Sequence, residues 1–272
     1  MREDRLETGF SWDTGLLREL NEDSILCTSF DLMTHLGVLS AGLFAVADGM
    51  GGHSAGEIAS DLAIRTIHTE CFNRLMAQSP SPPLSILADA FARANSIVLE
   101  AASSSELNGM GTTLTIALVI DDDMYVAHVG DSRCYIINNR EMLQVTKDHS
   151  VVQQLVDSGT IKPEEAKNHP RKNEITRVIG YSKDILPDLQ HVKLYAGDNI
   201  LLCSDGLWGV LSAKEIAETV IDSPNLDQAC SDLTAQANLA GGPDNISVII
   251  VKPGNLPSWQ AMIAVETSIR KL

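Results

Sequence analysis

Ala45-Val46-Ala47-Asp48-Gly49-Met50-Gly51-Gly52-His53 runs from apolar residues into an aspartate, a glycine-rich turn and a histidine. The apolar run reads as a buried strand, and Gly49, Gly51 and Gly52 let the backbone turn sharply beside a ligand. Ser54 is placed to cap a following helix. A carboxylate at the end of a rigid strand, beside bare backbone, suits a hard cation. One such turn is common, so its meaning depends on what lies further along the chain.

Three more acidic turns follow: Gly130-Asp131-Ser132-Arg133, Ser204-Asp205-Gly206-Leu207-Trp208 and Gly242-Pro243-Asp244-Asn245. If a sheet gathers Asp48, Asp131, Asp205 and Asp244, their mutual repulsion raises their pKa values unless cations compensate. An all-oxygen set points to Mg²⁺ or Mn²⁺ rather than structural zinc. Two such ions, roughly 3.5–4 Å apart, can share a water and lower its pKa enough to make hydroxide near neutral pH. Upstream, the charged turn Gly15-Leu16-Leu17-Arg18-Glu19-Leu20-Asn21-Glu22-Asp23 offers an arginine able to fork onto a phosphate, and the hard oxygens of Glu22 and Asp23. Standing alone, that segment reads as a solvated turn.

The chain has 272 residues, 44% of them hydrophobic, enough for one large domain with a real core. Its formal net charge of −16 argues against nucleic acid and anionic membranes as partners. Five scattered cysteines, Cys27, Cys71, Cys134, Cys203 and Cys230, with no CxxC pair, fit reduced thiols in a cytoplasmic protein. No signal peptide is visible, and the apolar stretch around Leu36 to Ala47 is too short to span a bilayer.

Taken in order, Thr8 to Trp12 and Ser24 to Phe30 read as strands, and helices are expected over Ser54–Met76 and along a stripe of Leu84, Leu87, Ala88, Phe91, Asn95, Val98, Leu99 and Ala102. Asn95 in that stripe reads as a satisfied core amide. Gly111-Thr112-Thr113 opens a strand, Leu114 to Ile120, with one large apolar face, and Asp121-Asp122-Asp123 turns it back. From Val151 to Gly180 a polar, proline-marked excursion reads as a flap between strands. Strands over Gln190–Tyr195, Ile200–Cys203 and Ile246–Val251 and helices over Ala213–Ile221 and Leu226–Leu239 complete the body. Residues 253–272 read as a tail, a weakly amphipathic helix packed on the domain of residues 1–252.

These blocks, with Asp148-His149-Ser150, resemble the metal-dependent serine/threonine protein phosphatases (the PPM, or type 2C, family), especially the bacterial branch, over residues 5 to 252. The resemblance implies an α+β fold, a central antiparallel β-sandwich flanked by helices on both faces. It implies two Mn²⁺ or Mg²⁺ ions, with a third, weaker site, and hydrolysis of phosphoserine and phosphothreonine on proteins by a hydroxide bridging the two ions. By matching position, Asp48 bridges both ions and the Gly49 carbonyl binds the first. Asp205 and Asp244 bind the second, Glu22 and Asp23 act directly or through water, and Asp131 with Asp205 forms the third site. Arg18 matches the phosphate-binding arginine. His53 is a candidate for protonating the leaving group or ordering water, against a simple hydrogen bond at the helix start. Partners are then phosphoproteins, targets of a serine/threonine kinase, in signal transduction, acted on by a monomer.

His128 reads as a core residue, His149 as a turn former and His169 as part of the flap. Cys203, followed by an aspartate rather than a phosphate-cradling loop, does not read as a nucleophile. Two other functions stay open: a catalytically silent phosphoprotein-binding module, and a phosphatase of small esters or signalling nucleotides.

Overall fold

Runs of β-branched and apolar residues, broken by glycine and aspartate turns, pair here into two antiparallel sheets. The computed structural model describes residues 6–34, 37–51, 55–77, 81–139 and 141–254. In chain order they form β1 (Glu7–Asp13), β2 (Asp23–Thr34), β3 (Gly37–Met50), α1 (Gly56–Leu75), α2 (Pro83–Ala101), β4 (Gly111–Thr112), β5 (Leu114–Ile120), β6 (Asp123–Val129), β7 (Arg133–Asn138) and β8 (Glu141–Gln144). Then come α3 (Val151–Asp157), α4 (Pro163–Ala166), β9 (Asp188–Lys193), β10 (Asn199–Cys203), α5 (Asp205–Trp208), α6 (Ala213–Asp222), α7 (Leu226–Leu239) and β11 (Ile246–Lys252).

One sheet has the order β1-β11-β10-β7-β8; the other runs β2-β3-β5-β6-β9, with β4 added to β3. Their inner faces meet in a layer that includes Phe44, Val46, Ala117, Val119, Ile200, Leu202 and Ile249. Helices α1 and α2 cover the outer face of the second sheet, burying Ala59, Ile67, Ile86, Leu87 and Phe91 against Leu43, Ala45 and Ile116. Helices α6 and α7 cover the first, with Ile216, Cys230 and Leu233 against Leu201, Val248 and Ile250. Each large side chain so buried stabilises the fold by about 1.5–3 kcal/mol before conformational entropy is charged against it. The result is the four-layer α-β-β-α architecture implied by the resemblance.

Several local expectations are corrected. β3 does not end at Asp48: Gly49 and Met50 pair with Thr112 and Gly111, so the strand runs through the first glycine. β5 is buried on both faces, since Ala117 and Val119 meet the other sheet while Leu114, Ile116 and Leu118 meet the helices. The buried stripe of α2 keeps Leu87, Phe91, Asn95 and Val98 of the expected one and adds Ile86, Ala90 and Ala94 in place of Leu84, Ala88 and Leu99. Ala55, not Ser54, occupies the cap position of α1, with no side-chain cap bond. Elsewhere capping chemistry is explicit: Ser212 and Glu215 close a reciprocal box on α6, and Asn225 caps α7. Ser54, His53 and the tail from residue 255 lie outside the described residues.

Candidate metal centre

The acidic residues converge because the sheet register and the strand ends place them at one edge of the sandwich. Pairing of β2 with β3 sets Asp23 directly opposite Asp48. Asp205 opens α5 directly after β10, Asp131 follows the end of β6, and Asp244 precedes β11. The facing sheet reaches across to Asp23: the hydroxyls of Ser204 and Ser247 donate to its Oδ2 at 2.8 and 2.7 Å. The other oxygen, Asp23 Oδ1, is buried without a partner, as are Asp131 Oδ1 and Asp205 Oδ1.

Such a set is electrostatically costly as it stands. Burial, opposed by the two serine hydroxyls and reinforced by Asp205 and Asp244, pushes the Asp23 carboxyl up to about 7. Asp48 is held well above the carboxylate range by burial and by the charges of Asp23, Asp205, Asp131 and Asp244. Asp131 is raised by burial and by Asp205. Asp205 is pushed up to about 6 by burial and by Asp244, against the charge of Arg18. Buried carboxylate oxygens that lack a protein donor, in an all-oxygen set that resists its own ionisation, fit hard divalent cations. Among the described residues no three His, Cys, Asp or Glu side chains are already drawn to one point. The protein's own counter-contacts are the two serine hydroxyls on Asp23 and the Arg18 guanidinium, whose Nη2 lies 2.7 Å from Asp244 Oδ2.

Backbone packing around the carboxylates explains the glycines. A Cβ on Gly49 would collide with the carbonyls of Gly56 and Glu22, and one on Gly15, already at φ +76°, with the carbonyl of Asp244. The amides of Leu16 and Leu17 both donate to the Gly242 carbonyl, fastening the turn of residues 14–22 to the segment that carries Asp244. Asn245 completes the attachment: its Oδ1 accepts from the Glu22 amide at 2.8 Å, and its Nδ2 donates to the carbonyls of Thr14 and Leu20 at 2.8 and 2.9 Å. Behind Asp48, its amide donates to Thr113 Oγ1 at 2.9 Å, and Thr113 Oγ1 is 2.7 Å from Ser132 Oγ beside Asp131.

Asp23, Asp48, Asp131, Asp205 and Asp244 are thus brought together, with the backbone of Gly49 at their edge and Glu22 alongside, raised by burial and by Glu57. Arg18 stands at the rim, 47% exposed. His53 lies outside the described residues. Supporting residues to which sequence reasoning assigned no role are Asn245, Thr113, Ser132, Ser204, Ser247 and Glu57, whose Oε2 is buried without a partner. Adjacency was a signal for three of them, since Ser132, Ser204 and Asn245 each neighbour an aspartate already singled out. His128 and His149 have ordinary work. His128 is buried between Thr115 and the Lys147 carbonyl, and His149 joins Gly130 to Thr176 through its backbone. Cys203 is fully buried and its thiol is pushed up by burial, so it offers no thiolate.

Residues 15–155 match the family model described as protein phosphatase 2C. The serine/threonine phosphatase Stp of Listeria monocytogenes is 36% identical over 245 residues, covering 89% of this chain and 94% of Stp. PstP of Mycobacterium tuberculosis, a serine/threonine protein phosphatase, is 38% identical over 240 residues, 88% of this chain but 43% of PstP. Its crystal structure superposes with a TM-score of 0.80 at 36% identity, over 92% of this chain and 99% of that one. The PstP catalytic domain in complex with two manganese ions gives a TM-score of 0.78 at 35% identity, with the same coverage. Fold, order of motifs and kinship agree: the chain belongs to the protein phosphatase 2C family.

Proposed function

We propose that this chain, a metal-dependent serine/threonine protein phosphatase, holds two Mn²⁺ or Mg²⁺ ions on the clustered carboxylates. When bound, the ions lower the pKa of water and offset the charge of the phosphoryl group. Asp48, the Gly49 carbonyl, Asp205 and Asp244 are the residues that would hold the pair, with Asp48 placed to serve both ions. Asp23 contributes through Oδ1, the oxygen its serine partners leave free, and Glu22 acts beside it. Asp131, with Asp205, makes a weaker third position. Arg18 has its guanidinium fork at the rim, where it can grip a phosphoryl oxygen pair and keep the ester in line for attack. His53 is assigned to protonating the departing serine or threonine oxygen. Burial removes Cys203 as a nucleophile, in keeping with attack by water and no phosphoenzyme.

The observation that carries this reading is the convergence of five aspartates with three buried, unpartnered oxygens among them. We further place the protein in the cytoplasm as a monomer, acting on the products of a serine/threonine kinase in signal transduction. Five free cysteines support that compartment, and the formal charge of −16 argues against nucleic acid as a partner. No described helix is long and apolar enough to cross a membrane.

The test is phosphate release from a phosphothreonine peptide in EDTA, Mg²⁺ and Mn²⁺, with Asp244→Asn alongside. Release that needs a divalent ion and falls at least about 100-fold in the variant is expected, the scale of losing a charge-stabilising group. No release by folded protein with either ion would leave a silent phosphoprotein-binding module as the better account.

A further inference from the structure

We infer that Trp208 is a positioning residue: held flat by Arg133, it sets the separation of Asp131 from Asp205 and ties that pair to the base of the flap. The inference rests on the metal-dependent reading above and extends it to residues that touch neither ion nor substrate.

Helix α5 is a single turn with Asp205 at its first residue and Trp208 at its last, so the two side chains are neighbours on one face. Across the gap, Trp208 Nε1 donates to the carbonyl of Asp131 at 3.1 Å. One indole therefore spans the end of β10 and the end of β6. Because it uses the Asp131 backbone, both carboxylates keep their free oxygens, Asp131 Oδ1 and Asp205 Oδ1.

The ring is itself fixed. Arg133 Cζ lies 3.4 Å from the ring centroid, a stacked cation–π contact. Arg133 cannot drift, because its Nε and Nη2 fork onto Asp148 at 2.9 and 2.6 Å and its Nη1 donates to the Tyr135 hydroxyl at 2.9 Å. Both ends of that ion pair are largely buried, with 20% and 7% of the side chains exposed. Asp148 also accepts from Gln144 Nε2, and it stands two residues before Ser150, whose hydroxyl caps α3, the first helix of the flap. Asp131, Arg133, Asp148, Asp205 and Trp208 all line one cavity of about 620 Å³ between the flap and α6. A rearrangement at the flap base thus reaches the third cation position through Asp148, Arg133 and Trp208, with no intervening solvent-exposed link. Lysine at 133 would keep the charge but lose both the fork and the stack.

Trp208→Phe separates the proposed role from bulk packing, since it keeps a ring for Arg133 and deletes the N–H. Mn²⁺ is titrated calorimetrically into EDTA-stripped, dialysed wild type and variant, and melting is recorded in EDTA. The weakest Mn²⁺ step should weaken about tenfold, the equivalent of one hydrogen bond, with tighter steps and the EDTA melt unchanged. The Mn²⁺ concentration for half-maximal phosphate release should rise by the same factor. Arg133→Lys should reproduce the selective loss. A weakest step equal to that of wild type in both variants would overturn the inference. So would equal weakening of every step with a lowered EDTA melt, which marks general loosening. Wild type that binds no Mn²⁺ at all would overturn the metal reading, and this inference with it.

Discussion

At the scale of single residues, Asn245 shows how much of the centre depends on a side chain that performs no chemistry. It is 4% exposed, and its one amide satisfies the Glu22 amide and the carbonyls of Thr14 and Leu20. Asn245→Ala leaves these groups to find new partners, so a loss of about 2–3 kcal/mol is expected, measured as a shift in urea unfolding. Because Arg18 and Glu22 ride on the same turn, kcat/KM for a phosphopeptide should fall more than unfolding alone explains. An unchanged urea midpoint would show that the turn is held by Gly242 alone. The carboxylates were legible in the sequence because acidic turns at strand ends, common singly, recur four times in one chain. Ser204 and Ser247 were not, since their bond to Asp23 joins residues 181 and 224 positions apart.

At the scale of elements, the flap contrasts with the body. Helices α3 and α4 bury no residue, whereas α1, α2, α6 and α7 each bury a stripe. What holds the flap is its neck. The Val151 amide donates to the Glu174 carbonyl at 2.9 Å and the Thr176 amide to the His149 carbonyl at 2.7 Å. Beyond it, Asn95 accepts from the Gly180 amide and donates to the Ser182 carbonyl. Replacing residues 157–173 while keeping that neck should leave the fold and hydrolysis of a small aryl phosphate within about twofold, as expected of an exposed loop. Preference among phosphopeptides should change by more. Equal effects on the two substrates would remove the flap from substrate choice. The excursion was legible from its polar, proline-marked composition; the neck was not, because its distant partners are Asn95 on α2 and Thr112 on β4.

Across the whole molecule, the two sheets and their covering helices hold polar groups where water cannot reach, and stability becomes pH-dependent. His128 is 1% exposed and stacked on His149 with centroids 4.9 Å apart. Burial, followed by the nearby His149, lowers its pKa from 6.5 to about 3. Between those values the unfolded chain binds a proton that the folded chain does not. The stability from a neutral His128 is therefore complete above about pH 6.5 and is lost as pH falls toward 3. In EDTA, the urea midpoint of wild type should drop more steeply between pH 7.5 and 5 than that of His128→Gln. Parallel slopes would place the acid sensitivity elsewhere.

Amino-acid order alone determined the family resemblance, the number of acidic turns, the strand-rich body with its helices, and the identity of the carboxylates. Those features are written in contiguous residues, where alternation, glycine turns and caps act over a few positions. Sheet pairing and layer packing decided that Asp23 faces Asp48, that β5 is buried on both sides, that Arg18 rests on Asp244 and that Trp208 reaches Asp131. Register and facing layers are chosen by the summed burial of distant strands. No local propensity encodes a contact such as the one between Trp208 and Asp131, 77 residues apart.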